Sequence, residues 1–201
     1  MASKTYIYRD MVSGCEMFSV AHPHSLMAGN DAIFCVQSAM INENGDTIDV
    51  GAGGNHFGGE DADAAPLDDG GEIVNNIIST AGLVEVGFKK KALMEWAKPY
   101  LAQVKARLEK ERPDRVEAFM KGAQLFVQTL IKEHSEYVFY VNAEMNYEGA
   151  LAFARFEDEA TVPKFYFFRD GLGLFFPGQG TSLEDGRVPT KVAIEQGCII
   201  W

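Results

Sequence analysis

The residues with the greatest capacity for chemistry stand in one stretch, "VGAGGNHFGGEDADAAPLDDGGE" (residues 50–72), which holds seven glycines, six carboxylates and no basic side chain. Glycine-rich backbone can cradle a phosphate, and spaced carboxylates can hold a hard cation. The phosphate reading fails. Gly51-Ala52-Gly53 opens a Gly-x-Gly, but His56 stands where the third glycine belongs and no Gly-Lys-Ser/Thr occurs. No helical pattern follows to lend its dipole, and six carboxylates would repel a phosphate. The calcium-loop reading is incomplete. Asp61-Ala62-Asp63 begins the alternating ligand spacing, then Ala65 and Pro66 occupy the places of the third ligand and the turn glycine. A weak, flexible, carboxylate-rich cation site and a solvated loop are the two readings left.

Elsewhere no catalytic constellation is legible. His22, His24, His56 and His134 form neither HxxxH nor HExxH, and His22-Pro23-His24 offers two donors without a third at fixed spacing. Cys15, Cys35 and Cys198 are odd in number and never form CxxC, against both a disulfide framework and a four-thiolate zinc site. No GxSxG occurs, and Cys15 lies beside Glu16 with no local sign of a base. Glu157, Asp158 and Glu159 fit a solvated turn at a strand end. The closing "CIIW" has the position of a prenylation box, but Trp201 is a poor final residue and no polybasic run precedes it, so a docked apolar C-terminus is the expectation. A protein that is not an enzyme and requires no cofactor follows from these readings.

Composition narrows the class further. With 201 residues, 47% of them hydrophobic, the chain can bury one sizeable core. No run of 18 apolar residues could span a bilayer, and "MASKTYIYRD" lacks the apolar core of a secretory signal, so a cytoplasmic location is expected. A net charge of −11 argues against nucleic acid, whose phosphates need clustered Lys and Arg. The charge is unevenly spread. Residues 88–134 hold 11 basic and 6 acidic side chains, net +5, while the other 154 hold 7 basic and 23 acidic, net −16. Such asymmetry bears on partners rather than on fold.

Periodicity places these features. "TYIYRD" alternates as a short strand, "AIFCVQSAMI" reads as a strand or a pair, and Asn44-Gly45 marks a turn. "EIVNNIIST" and "LVEVGF" are β-branched runs broken at Ala81-Gly82, which predicts strand, turn and strand. The period then changes. Leu93, Trp96, Tyr100, Leu101, Val104 and Leu108 fall on one face of a helix over about 88–111, with a kink or break expected at Pro99. Pro113 suits the start of a second helix, whose stripe is Val116, Phe119, Met120, Ala123, Val127, Leu130 and Ile131. The short connection makes the two antiparallel. "EYVFYV", "ALAFARF" and "KFYFFRDGL" return to strands, and helices inserted into a mostly β chain predict α+β with an antiparallel sheet.

Five stretches, in order and at compatible spacing, resemble the translationally controlled tumour protein family: "IYRDMVSGCEMFS" (7–19), "GGN" (53–55), "RPDRVEAFM" (112–120), "EMNYEGALAF" (144–153) and "FFRDGL" (167–172). The resemblance implies one domain over residues 1–172. That domain would be a mostly antiparallel β-tent body with an inserted, projecting helical hairpin at about 88–134 and a long mobile acidic loop at about 56–72. A mobile extension would occupy 173–201. It also implies a cytoplasmic, monomeric, multi-partner regulatory protein in growth and survival control, with weak calcium binding, association with tubulin and microtubules, and regulation of small GTPases, as by nucleotide exchange, through Glu16. The family's polar pocket would map to Asn55, Glu60 and Glu144, weak calcium ligands to Glu60, Asp61 and Asp63, and tubulin contacts to Lys89, Lys90, Lys91 and Lys98. Two departures bear on that pocket. Where the family has Asn-x-Ser-x-Glu, Phe57 and Gly59 follow Asn55 and Glu60 comes one place late. Where it has Gly-Glu, Asn142-Ala143 stands and Glu144 follows. A one-residue shift turns a strand side chain to the other face unless a bulge, for which Gly58-Gly59 is suited, absorbs it.

Overall fold

The computed structural model describes residues 5–42, 72–157 and 160–176. Among them the chain runs through β1 (Ile7–Asp10), β2 (Glu16–Ser19), β3 (His24–Met27), β4 (Asn30–Gln37), β5 (Met40–Asn42), β6 (Ile73–Asn75), α1 (Asn76–Ala81) and β7 (Val84–Val86). It continues through α2 (Lys90–Glu111), α3 (Val116–Lys132), β8 (Tyr137–Val141), β9 (Ala152–Arg155), β10 (Lys164–Phe168) and β11 (Leu172–Phe175). All pairings are antiparallel. A six-stranded sheet has the order β3-β4-β10-β9-β8-β7, a three-stranded sheet β11-β1-β2, and β5 pairs with β6. This is the expected α+β architecture, with the helical hairpin inserted between β7 and β8.

Strand β10, "KFYFF", shows why the core sits where it does. Its last four residues are buried, because both faces of the sheet are covered. On one face Tyr166 and Phe168 meet Phe126 of α3 at ring distances of 6.0 and 5.7 Å. On the other, Phe167 stacks on Phe18 of β2 at 4.9 Å, and Phe18 stacks on Tyr8 of β1 at 4.6 Å. The six-stranded sheet is therefore a middle layer between the hairpin and the three-stranded sheet. Phe153 of β9 is the aromatic hub on the helical side, against Trp96, Phe126, Phe139 and Phe168. The fully buried rings anchor the layers by apolar area alone, each contributing about 2–3 kcal/mol.

Three expectations change in detail. "NIISTA" is a helix rather than a strand. Asn75 caps it, its side chain accepting from the Ile77 and Ile78 amides at 3.1 and 3.4 Å, and Gly82 closes it at φ 61° with its N–H on the Ile78 carbonyl. Caps at both ends outweigh the β-branched composition. Pro99 neither breaks nor ends α2, which runs unbroken to Glu111. Pro99 lies on the exposed face, so the carbonyl it leaves without a donor can bond water instead. The buried face of α3 centres on Phe119, Gly122, Ala123, Phe126 and Leu130, with Val116, Met120, Val127 and Ile131 only flanking it. The expected "AIFCVQSAMI" pair is present as β4 and β5, and the expected acidic loop, apart from Glu72, lies outside the described residues. So does residue 177 onward, and β11 runs to Phe175, past the Leu172 at which the sequence reading ended the domain.

Candidate functional site

Strand β1 ends at Asp10, whose residue is fully buried. The carboxylate is satisfied locally and at long range. It accepts from the Ser13 amide at 2.7 Å, from the Ser13 hydroxyl at 2.6 Å and from the Tyr100 hydroxyl of α2 at 3.2 Å. A buried carboxylate without such donors would be costly, so these three bonds shape the turn that delivers Cys15 and Glu16. The Tyr100 phenol, buried and beside Asp10, is held well above its ordinary pKa and stays a donor.

Glu16 opens β2 directly across from Arg9, where the ladder between β1 and β2 slips at Tyr8/Arg9. Partial burial raises its carboxyl above the usual range, and the Arg9 charge opposes that rise. The Arg9 guanidinium lies 3.9 Å from the centre of the Phe175 ring, and its buried Nε has no hydrogen-bond partner among the described residues.

Glu144 reaches the same place from a distant part of the chain. It sits in the loop between β8 and β9, exposed, and comes near enough to Cys15, the neighbour of Glu16, for its charge to act on the thiol. Burial is the main reason the Cys15 thiol is pushed up; Ser13 opposes this, and the carboxylates of Glu144 and Asp10 add to it. The loop is built by Asn142, which is fully buried. Its Oδ1 accepts from the Glu144 and Asn146 amides at 3.1 and 3.0 Å, and its Nδ2 donates to the Asn146 carbonyl at 3.0 Å. Met145 takes a left-handed φ of 54° within this turn. Gly149 then seats the loop against β1. A Cβ there would come within 2.6 Å of Ser13 and 2.7 Å of the Asp10 Oδ2, and its carbonyl accepts from the Trp96 indole at 3.0 Å. Two of the sequence-predicted carboxylates, Glu16 and Glu144, are thus brought to one edge of the molecule. Asn55, Glu60, Asp61 and Asp63 lie outside the described residues, so the rest of the expected pocket and the calcium candidates are not placed.

The lysines form a separate surface. Lys89 is the N-cap of α2, Lys90 and Lys91 begin it, and Lys98 lies two turns on; all four are exposed. No side chain caps this end and no acid stands in its first turn. Lys91 pairs with Glu95 at 3.7 Å, both largely in water. His22 and His24 are used structurally. His22 is buried with its ring on Ser19, and its pKa is lowered by burial; His24 packs edge-on against Tyr8, Phe18 and Phe34. Among the described residues no group of three or more His, Cys, Asp or Glu could hold a metal ion.

One charged cluster was not foreseen. Arg112 and Arg115, at the tip of the hairpin, both close on Asp170, whose side chain is wholly buried. The distances are 3.1 and 2.8 Å, and Arg115 also reaches Asp31 at 2.5 Å. The hairpin therefore does not project freely; it lies along the sheet and is tied at its tip. The arginines of "RPDR" and the aspartate of "FFRDG" were visible in the sequence, but their pairing across 55 to 58 residues was not.

These features define a class: an antiparallel α+β protein that offers charged surfaces at the ends of a docked hairpin and a carboxylate-bearing edge. Comparison with known proteins then gives the family. The model of translationally controlled tumour protein matches residues 5–173. A homologue of that protein from Saccharomyces cerevisiae is 31% identical over 166 residues, 83% of this chain and 96% of the relative. One from Micrurus fulvius is 33% identical over 169 residues, with the same coverage. The solved structure of "Translationally Controlled Tumor-associated Protein p23fyp" from Schizosaccharomyces pombe superposes with a TM-score of 0.64 at 30% identity, covering 84% of this chain and 98% of that one. The chain belongs to the translationally controlled tumour protein family.

Proposed function

We propose that this protein is a cytoplasmic, non-enzymatic binding protein whose lysine-rich start of α2 docks anionic protein surfaces, the acidic tails of tubulin first among them. One observation carries this reading: Lys89, Lys90 and Lys91 are exposed at a helix N-terminus with no acid in the first turn. Cations there oppose the helix dipole and cost a few tenths of a kcal/mol each, about 0.3–1 at most. A position that works against its own helix is better explained by a partner than by folding. Microtubule co-sedimentation tests it. Binding is expected to fall as salt rises and to be lost in Lys89, Lys90, Lys91→Glu; indifference to both would overturn the reading. Weak calcium binding through Glu60, Asp61 and Asp63 belongs to the same proposal, checked by NMR shifts in residues 60–72 at millimolar calcium.

A second reading has its own observation. Glu16 stands beside Cys15, the thiol that Glu144 approaches, and partial burial raises the Glu16 carboxyl so that it holds its proton more readily than a free carboxylate. An edge carboxylate can compete with phosphate for Mg²⁺ or for the P-loop lysine of a small GTPase. Release of labelled nucleotide should then quicken with this protein and return to the basal rate with Glu16→Ala. Equal rates with both proteins would remove Glu16 from that role.

A further inference from the structure

Beyond α3 the chain makes a short 3-10 turn, His134–Glu136, before β8, and this turn stands over the end of β9. An open depression of about 820 Å³ lies here, lined by Glu136, Arg155, Phe156, Glu157 and Tyr166. Phe156 is 53% exposed, a large aromatic side chain half in water at the rim of a charged hollow.

The charges around the hollow are unequal. Glu133, Glu136 and Glu157 supply three carboxylates against Arg155 and Lys164. Arg155 donates to Glu133 at 3.0 Å and also to Glu136, while Lys164 donates to Glu157 at 2.5 Å. Both cations are paired with these carboxylates, and three carboxylates against two cations leave the group net negative with acceptor directions to spare. An incoming anion would find no free cation in this group and three like charges. An incoming cation would find acceptors and an aromatic face. The protein supplies an example of the mode in its own Arg155, whose guanidinium lies 5.4 Å from the centre of the Tyr137 ring while carboxylates hold its edge.

We propose that this hollow binds a basic peptide segment of a partner protein, one arginine or lysine lying on Phe156 with its N–H groups donated to Glu136 and Glu157. The hollow is open rather than enclosed, which suits an extended chain better than a small molecule that needs most of its surface covered. Aromatic faces attract cations, and a carboxylate partner roughly doubles the strength of the hydrogen bond. The surface is thus opposite in sign to the lysine end of α2, although His134, which bonds the Phe88 carbonyl at 2.7 Å, links the two neighbourhoods.

A fluorescein-labelled (Arg-Gly)5 peptide, titrated against the full chain and followed by anisotropy, tests this, with (Glu-Gly)5 as the control. Saturable binding of the arginine peptide alone is expected. It should weaken about threefold in Phe156→Ala and about tenfold in the double variant Glu136→Gln, Glu157→Gln. Amide shifts on binding should fall on Glu136, Phe156 and Tyr166. Phe156 and Glu157 are exposed enough for these variants to fold, and unchanged circular dichroism verifies it. The acidic stretch around residue 60 provides the competing explanation. Binding that survives the hollow's variants but is lost in Glu60→Gln, Asp61→Asn, Asp63→Asn overturns the proposal, and so does absence of binding at low salt.

Discussion

At the tip of the hairpin, Arg112 and Arg115 converge on a wholly buried aspartate; at its base, Lys89, Lys90 and Lys91 stand in water with one loose pair among them. Both ends concentrate cations on the same two helices, yet they do opposite work. The tip's planar guanidiniums fit Asp170 from two sides and so close the hairpin onto the turn before β11. The base keeps point charges hydrated and available. Burial decides the difference: removing one partner from a buried set strands a charge, whereas an exposed pair is screened and contributes little.

Asp170→Ala should break the comparison most severely. It leaves Arg115 mostly buried with only Asp31 to answer it, and a loss of ~3 kcal/mol is expected, the lower end for a broken buried pair because Asp31 remains. Urea unfolding measures it, and a loss below about 1 kcal/mol would place the tip in the same class as the base. Alkali should act next. Tyr100, whose hydroxyl crowds Gly171 beside Asp170, has its pKa raised by burial and by Asp10; Tyr140 is pushed up to about 12 and Tyr166 higher, both mainly by burial. Groups raised on folding bind their protons more tightly in the native state, so their contribution is intact below the unfolded tyrosine value of about 10 and is lost as pH climbs through the folded values. The urea midpoint should decline slightly from about pH 8.5, where the raised thiols of Cys15 and Cys35 begin to lose their protons in the unfolded chain, and fall more steeply above about 10, with a shallower fall in Tyr100→Phe.

At the base the expected sign reverses. Lys89→Asp supplies the missing N-cap and complements the dipole, and a gain of about 0.5–1 kcal/mol is expected even as microtubule binding drops. Stabilisation with unchanged binding would sharpen the comparison differently, by showing that the base is merely a solvated end. The smallest effect belongs to Glu95→Gln, which removes the Lys91 partner and should alter stability by only about 0.2–0.5 kcal/mol.

The legible parts of this fold share a cause. The stripe Leu93, Trp96, Tyr100, Val104 and Leu108 and the aromatic run of β10 express periods of the backbone itself, so they can be read without knowing what they pack against. Misreadings arose where neighbours chose between local options. Ile77 and Ile78 favour a strand by composition, but Asn75 and Gly82 bracket them as caps. Phe126 escaped the expected stripe because only contact with Phe153, Tyr166 and Phe168 shows which side of α3 faces the sheet. The site was legible in its members and not in its assembly. Glu16 and Glu144 were singled out separately, and it took the buried Asn142 loop and Gly149 packed on Ser13 to bring them to one edge.

By itself the sequence determined the α+β class, the antiparallel hairpin of helices, the division into a basic segment and an acidic body, and the family, because composition, period and short ordered motifs are properties of the chain. Only the tertiary structure decided which charges are buried. Asp170 and Glu157 are both acidic residues next to a strand, yet one is enclosed between two arginines from the hairpin and the other faces water beside Lys164. The role of a charge depends on its solvation and its partners, and those are set by residues far away in the chain.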